Sequence, residues 1–162
     1  MSDAAPITIR QASPDDASAL GHLGAALTRL HHAFDAERFI TPGPNLEEKY
    51  GRFLVSHMES EHDVVFVAER AGEIVGYVWA GIEPKSYKEL RDTAGFVHDV
   101  LVAEHARGHG TGERLVEAAA EWLIAHGMPR VMLWTAEKND HAQKLFERLG
   151  FRRTMIEMTR ER

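Results

Sequence analysis

Three glycines at alternate positions, in Arg107-Gly108-His109-Gly110-Thr111-Gly112, separate an apolar run, Phe96 to Val102, from a long amphipathic stretch, Glu113 to His126. A strand that enters a glycine-rich turn and leaves as a helix forms a backbone anion site. Successive N–H groups of the turn face one concavity, and the helix adds the positive end of its macrodipole. Arg107 contributes a full charge beside it. Glycine suits the turn because a Cβ would hold phosphate oxygens away from the main chain and resist positive φ. A flexible connection also uses glycine, but three alternate glycines with an arginine ahead of so well delimited a helix favour a diphosphate.

The rest of the chain supplies the frame. Ile7 to Arg10 alternates as a short strand, and Ser13-Pro14-Asp15-Asp16 opens a helix whose Leu20, Leu23, Leu27 and Leu30 form one stripe, continuing to Phe34. The Pro42-Gly43-Pro44 cluster breaks it, and a second helix is expected over Leu46 to Met58 with Asn45 as cap. Val64 to Ala68 and Ile74 to Ile82 read as two antiparallel strands joined by an Arg70-Ala71-Gly72-Glu73 hairpin. Pro84 to Arg91 has no clear period. After the central strand and the glycine turn come a strand over Val131 to Thr135 and a helix capped by Asn139 or Asp140, with Ala142, Leu145, Phe146 and Leu149 on one face. A final strand is expected over Phe151 to Thr159. The order β-α-α-β-β-β-α-β-α-β implies an α/β (α+β) fold with a mixed, mostly antiparallel central sheet flanked by helices. Its 162 residues carry no repeat or linker, so residues 1–162 are expected to form a single domain.

Composition narrows the chemistry. The chain holds no cysteine, which excludes disulfides, thiolate nucleophiles and cysteine-based metal sites. Nineteen basic against 25 acidic residues give a net charge of −6, which disfavours a nucleic-acid binder. Met1 to Arg10, with Asp3 and Pro6, has no long apolar run, and no segment approaches the ~18 apolar residues of a spanning helix. The expectation is a soluble, cytoplasmic protein without membrane or nucleic-acid partners. His105 and His109 straddle the glycine turn with no third ligand spaced to join them, so no metal is expected.

A Walker loop is ruled out because no Lys-Ser or Lys-Thr follows the last glycine. A dinucleotide fingerprint needs Gly-x-Gly-x-x-Gly directly after a strand, and the Gly-x-Gly-x-Gly spacing here makes a nicotinamide-dependent oxidoreductase the weaker alternative. Arg107-x-x-Gly110-x-Gly112 resembles the acyl-CoA loop of the GCN5-related N-acetyltransferase (GNAT) family. His98-Asp99-Val100-Leu101-Val102 is similar to that family's central strand, and Asn139-x-x-Ala142-x-x-Leu145-Phe146-x-x-x-Gly150-Phe151 to its later motif. The resemblance is specific over residues 96–151 and rests on element order before them.

It implies acetyl-CoA as co-substrate and a primary amine of a small molecule or peptide as acceptor. Val100, Leu101 and Val102 would offer main-chain hydrogen bonds to pantetheine. Arg107, Gly108, His109, Gly110, Thr111 and Gly112 would hold the diphosphate, and Asn139, Ala142 and Phe146 would lie near the thiol end. The strands Val97 to Val102 and Val131 to Thr135 would diverge around the pantetheine arm. A protonated alkylamine with a pKa of about 10.4 must lose a proton before it attacks a thioester. His98 is the favoured base, with a packed, non-catalytic His98 or a water chain ending on Asp99 or another carboxylate as the alternatives. The oxyanion donor would be a main-chain N–H of Val100 or Leu101. Where the family commonly carries a tyrosine acid, this chain has Phe146, which keeps open a non-catalytic acyl-CoA-binding or sensing module. His31 and His32 would border the acceptor pocket, Trp134 would line either the core or the acceptor site, and the final strand would pair across a homodimer.

Overall fold

The structure, a computed structural model, describes residues 5–162. Met1 to Ala4 lie outside it, and with them the Asp3 end of the N-terminal segment. In chain order come β1 (Ile7–Gln11), α1 (Ala17–Phe34), α2 (Leu46–Met58), β2 (Asp63–Arg70) and β3 (Glu73–Glu83). They are followed by β4 (Ala94–Val102), α3 (Thr111–Ala125), β5 (Val131–Leu133) and α4 (Asp140–Arg148). The strands lie in the order β1-β2-β3-β4-β5. The first three pairs are antiparallel and β4–β5 is parallel. A parallel neighbour needs a long crossover, and α3 provides it.

Alternating strand residues feed two cores. Leu20, Leu23 and Leu27 of α1 and Leu54 of α2 pack on Val65, Val67, Tyr77 and Leu101. On the other face, Leu115, Ala119 and Leu123 of α3 pack on Val64, Val78, Val97 and Val102. The leucine stripe of α1 is thus the seam between helix and sheet. The hairpin turns through Ala71 (φ 51°) and Gly72 (φ 80°), the left-handed pair a two-residue connection requires. No helix among the described residues is long and apolar enough to cross a membrane.

Four expectations are corrected. The final strand over Phe151 to Thr159 does not form: residues 151–162 carry no regular structure. A strand exists only where a partner edge is available, and β5 presents just three residues. The tail instead reaches α1's end, where the Glu157 carboxylate binds the Arg38 guanidinium, Nη2 to Oε2 at 2.8 Å. Pairing of two copies through that strand therefore has no strand to work with among the described residues. β5 also stops at Leu133 rather than Thr135. Asn45 precedes α2 with φ 57° and its side chain makes no cap, so it serves the turn by tolerating the left-handed region. Finally, α3 begins at Thr111, two residues earlier than its apolar pattern suggests, so Thr111 and Gly112 belong to the helix.

Candidate active site

The glycine turn is held from below and open above. Arg107 Nε donates to Val102 O at 2.9 Å, which ties the turn back to the end of β4. Thr111 is buried and its hydroxyl donates to Ala106 O at 3.4 Å, while His109 Nδ1 lies 2.8 Å from Arg107 O. Gly108 (φ 80°) and Gly110 (φ 73°) sit in the left-handed region, and a Cβ on either would meet nothing within 4 Å. These two glycines are required by conformation, and the space above them is free. Gly112 has a different role: a Cβ there would stand 3.3 Å from Leu145 Cδ2, so it lets α4 approach α3. Within the described residues, the main-chain N–H groups of residues 108–113 donate to no protein acceptor. Six such donors at the positive end of a 15-residue helix form a site for a multiply charged anion.

Beside this turn the sheet opens. β4 and β5 are paired only over Gly95–Val97 and Val131–Leu133, so the second half of β4 has a free side. The Ala103 N–H donates to Val75 O at 2.8 Å, and the register pairs Leu101 with Tyr77. Main-chain groups alternate along an antiparallel strand, so those of Leu101 turn toward β3 while those of Val100 and Val102 turn toward the open side. Of the three residues expected to meet pantetheine, Val100 and Val102 face the gap, with Val102 O already taken by Arg107.

His98 stands at the fork. The β3–β4 register runs Trp79↔Asp99 and then Ala80↔Val97, which leaves His98 as the extra residue of a β-bulge. The bulge turns His98 and Asp99 toward the α1–α2 face together. The His98 ring lies 4.3 Å from Trp79 and 5.8 Å from Phe96, forming the middle of an aromatic row that continues to Trp134. Trp79 Nε1 donates to Asp63 Oδ1 at 3.0 Å, fixing the indole against which His98 rests. His98 Nε2 is 3.1 Å from Glu83 Oε1, close enough for charge pairing but out of line for a hydrogen bond. Burial pushes the imidazole below its ordinary value, against the upward pull of Glu83, Asp99 and Asp63. The unprotonated form is therefore favoured at neutral pH.

Asp99 is committed elsewhere. Its Oδ2 accepts Tyr50 Oη at 2.6 Å and Tyr77 Oη at 2.9 Å, pinning α2 and β3 to the bulge. Burial raises its carboxyl, and the two phenol donors oppose that rise. Both phenols are themselves pushed up, first by burial and then by the Asp99 charge. The water-chain reading for Asp99 gains nothing from this arrangement.

The later motif divides. Asn139 Oδ1 accepts the Ala142 N–H at 3.1 Å, so its visible task is to cap α4. Phe146 is buried and packs edge-on against Phe151 at 5.9 Å. The structure therefore brings Val100, Val102 and Arg107 to Gly112 together, with His98 at the same fork. It gives Asn139, Ala142 and Phe146 a structural use. His31 packs between Phe34 and Phe39, and Trp134 is exposed. Glu83, Glu89, Arg91, Tyr50 and Tyr77 escaped the sequence reading. The patternless segment from Pro84 to Arg91 carried two of them without any periodic signal.

The sheet, with three antiparallel pairs and one parallel pair, is not the doubly wound parallel sheet of a dinucleotide-binding fold. It superposes on solved structures that show the same fold. BH1408 from Bacillus halodurans matches with TM-score 0.80 and 21% identity, covering 95% of this chain and 98% of that one. The aminoglycoside N-acetyltransferase AAC(6')-Iy in complex with CoA matches with TM-score 0.77 and 18% identity, covering 100% and 98%. The uncharacterized N-acetyltransferase YhfO of Bacillus subtilis is 28% identical over 147 residues, 90% of this chain and 89% of its own. The mycothiol acetyltransferase of Thermomonospora curvata is 35% identical over 94 residues, 58% of this chain, and the match spans only 29% of that protein's length. The model of the acetyltransferase (GNAT) family matches residues 27–151, which hold the fork, the bulge and the glycine turn alike, and the chain belongs to that family.

Proposed function

We propose that the protein transfers the acetyl group of acetyl-CoA to a primary amine of a small molecule or peptide by direct attack. One observation carries this reading: six unengaged main-chain N–H groups at the start of α3 lie beside a fork in the sheet whose free edge is also main chain. Residues 108–113 would bind the diphosphate, and the Val100 carbonyl with the Val102 N–H would meet the amides of the pantetheine arm. Acetyl-CoA supplies an activated thioester carbonyl. His98, unprotonated and at the mouth of the fork, accepts the proton of the incoming ammonium. The amine nitrogen then attacks the carbonyl to form the new C–N bond, and as the tetrahedral adduct collapses the C–S bond breaks, the electron pair leaves on sulfur, and the second nitrogen proton passes to that thiolate through water.

A main-chain N–H of β4, that of Val100, is the donor turned toward the developing oxyanion. Phe146 cannot protonate the leaving sulfur. A thiol pKa near 8.5 makes the thiolate a tolerable leaving group, so the missing acid slows turnover rather than stopping it. Acetyl-CoA is an intracellular metabolite, which sets this activity in the cytoplasm. The test is release of free thiol from acetyl-CoA on addition of a panel of primary amines. Amine-dependent release supports the transferase. CoA binding without release with any amine would leave a non-catalytic acyl-CoA module, the reading that Phe146 keeps open.

A further inference from the structure

The fork opens into a half-enclosed cavity of about 200 Å³ lined by Glu83, Glu89, Arg91, Phe96, His98 and Trp134. His98 follows the last β4 residue paired with β5, and Trp134 follows the last residue of β5 itself. The cavity thus sits where the two strands part, next to the main-chain edge assigned above to pantetheine. Its walls are aromatic. Phe96 meets Trp134 edge-on at 5.9 Å and His98 in a stacked arrangement at 5.8 Å. Trp134 is 72% exposed, an indole wall open to solvent among the described residues.

The charge of the cavity is specific. Arg91 Nε binds Glu89 Oε2 at 2.6 Å, and its Nη1 donates to Pro84 O and Asp92 O, with the guanidinium 5.1 Å from the Phe96 ring. The cation and one carboxylate therefore cancel each other and are fixed in place. Glu83 remains, 3.1 Å from His98 Nε2, and burial keeps that imidazole neutral. One uncompensated carboxylate adjoins one base, with flat apolar walls on the outer side. The volume is below the roughly 300–1,000 Å³ of sites for drug-sized ligands, which leaves room for one ring and a short stem.

We propose that this cavity is the acceptor subsite and that it selects a primary ammonium carried on a short linker from a single aromatic ring. Glu83 holds the ammonium beside His98 Nε2, and the ring lies against Trp134 and Phe96. The inference rests on the acetyl-transfer reading and adds the class of acceptor. Glu83 orients the ammonium through charge, while Trp134 distinguishes aromatic from aliphatic stems through stacking.

The test compares phenethylamine with n-propylamine by thiol release at saturating acetyl-CoA, in the wild type, Trp134→Ala and Glu83→Gln, alongside the melting shift each protein shows with CoA. Both substituted side chains are at least partly exposed, so the variants are expected to fold. The wild type is expected to favour phenethylamine in kcat/KM by on the order of tenfold or more. In Trp134→Ala that preference falls toward one, and in Glu83→Gln KM rises for both amines while the CoA shift is kept. Equal use of the two amines, or a preference that survives Trp134→Ala, overturns the inference. Turnover confined to a polyamine, an aminoglycoside or a peptide lysine overturns it too, while leaving acetyl transfer intact. If CoA produces no melting shift in the wild type, the underlying reading has failed as well, and that arm separates the two failures.

Discussion

His98 shows how a single residue acquires a role from its surroundings. Its type and place on the central strand were legible in the sequence, but its direction was not. Strict alternation assigns one of two faces, and the bulge breaks alternation at that residue through the register of β3 against β4. The same break brings Asp99 under the hydroxyls of Tyr50 and Tyr77, 49 and 22 residues away in the chain. Burial lowers the His98 pKa, and in the proposed reaction the unprotonated ring is the base. Activity should therefore rise with pH through a value below the ordinary ~6.5 and level off before neutrality. His98→Ala is expected to remove that limb and lower kcat/KM by roughly 10²–10⁴. A pH–rate profile of the variant that matches the wild type would dismiss His98 as base. At Asp99, Tyr50→Phe deletes one of two donors to a buried carboxylate. A loss of about 1–3 kcal/mol in urea unfolding is expected, and no change would show that the network contributes nothing to stability.

Among the elements, those with a strong period were readable: the leucines of α1, the apolar stripe of α3 and the hairpin between β2 and β3. What periodicity cannot carry is which edge a segment will find. Phe151 to Thr159 is expected to close the sheet as a strand, yet β5 presents only three residues, and the Glu157 carboxylate engages Arg38 beyond the end of α1. The crossing of α1 and α2 was hidden for a related reason, since the glycines that permit it belong to no turn. A Cβ on Gly51 would stand 2.5 Å from Ala17 O, and one on Gly21 would collide with Glu47 O. Main chain cannot swing aside as a side chain does. Gly51→Ala should therefore force the helices apart and cost about 1–3 kcal/mol, despite the better helix propensity of alanine. Thermal unfolding reads this directly. A variant as stable as the wild type, or more so, would mean that the helices separate freely.

For the molecule as a whole, the decisive features are a parallel pair that ends early and a glycine turn placed beside the gap. The turn was legible because its chemistry is local: alternate glycines, an arginine and a clean helix within twenty residues. The cavity at the fork was not, because it draws Glu83 from β3, Glu89 and Arg91 from an aperiodic loop, and Trp134 from beyond β5. Ligand at 100 times its Kd stabilises by ~2.7 kcal/mol, which for a chain of this size is a rise of roughly 5–10 °C in Tm. Such a rise is expected with CoA, whereas NAD should produce none.

Calorimetric titration of CoA into the wild type, Gly110→Asn and Gly110→Asp probes the nitrogens of the turn most directly. Asparagine tolerates the left-handed conformation at that position, whereas aspartate adds a negative charge over the same open donors. The expected result is saturable binding by the wild type, partial retention in Gly110→Asn, and a loss of about a hundredfold or more in Gly110→Asp. Equal affinity in all three would mean that the diphosphate of CoA does not rest on residues 108–113.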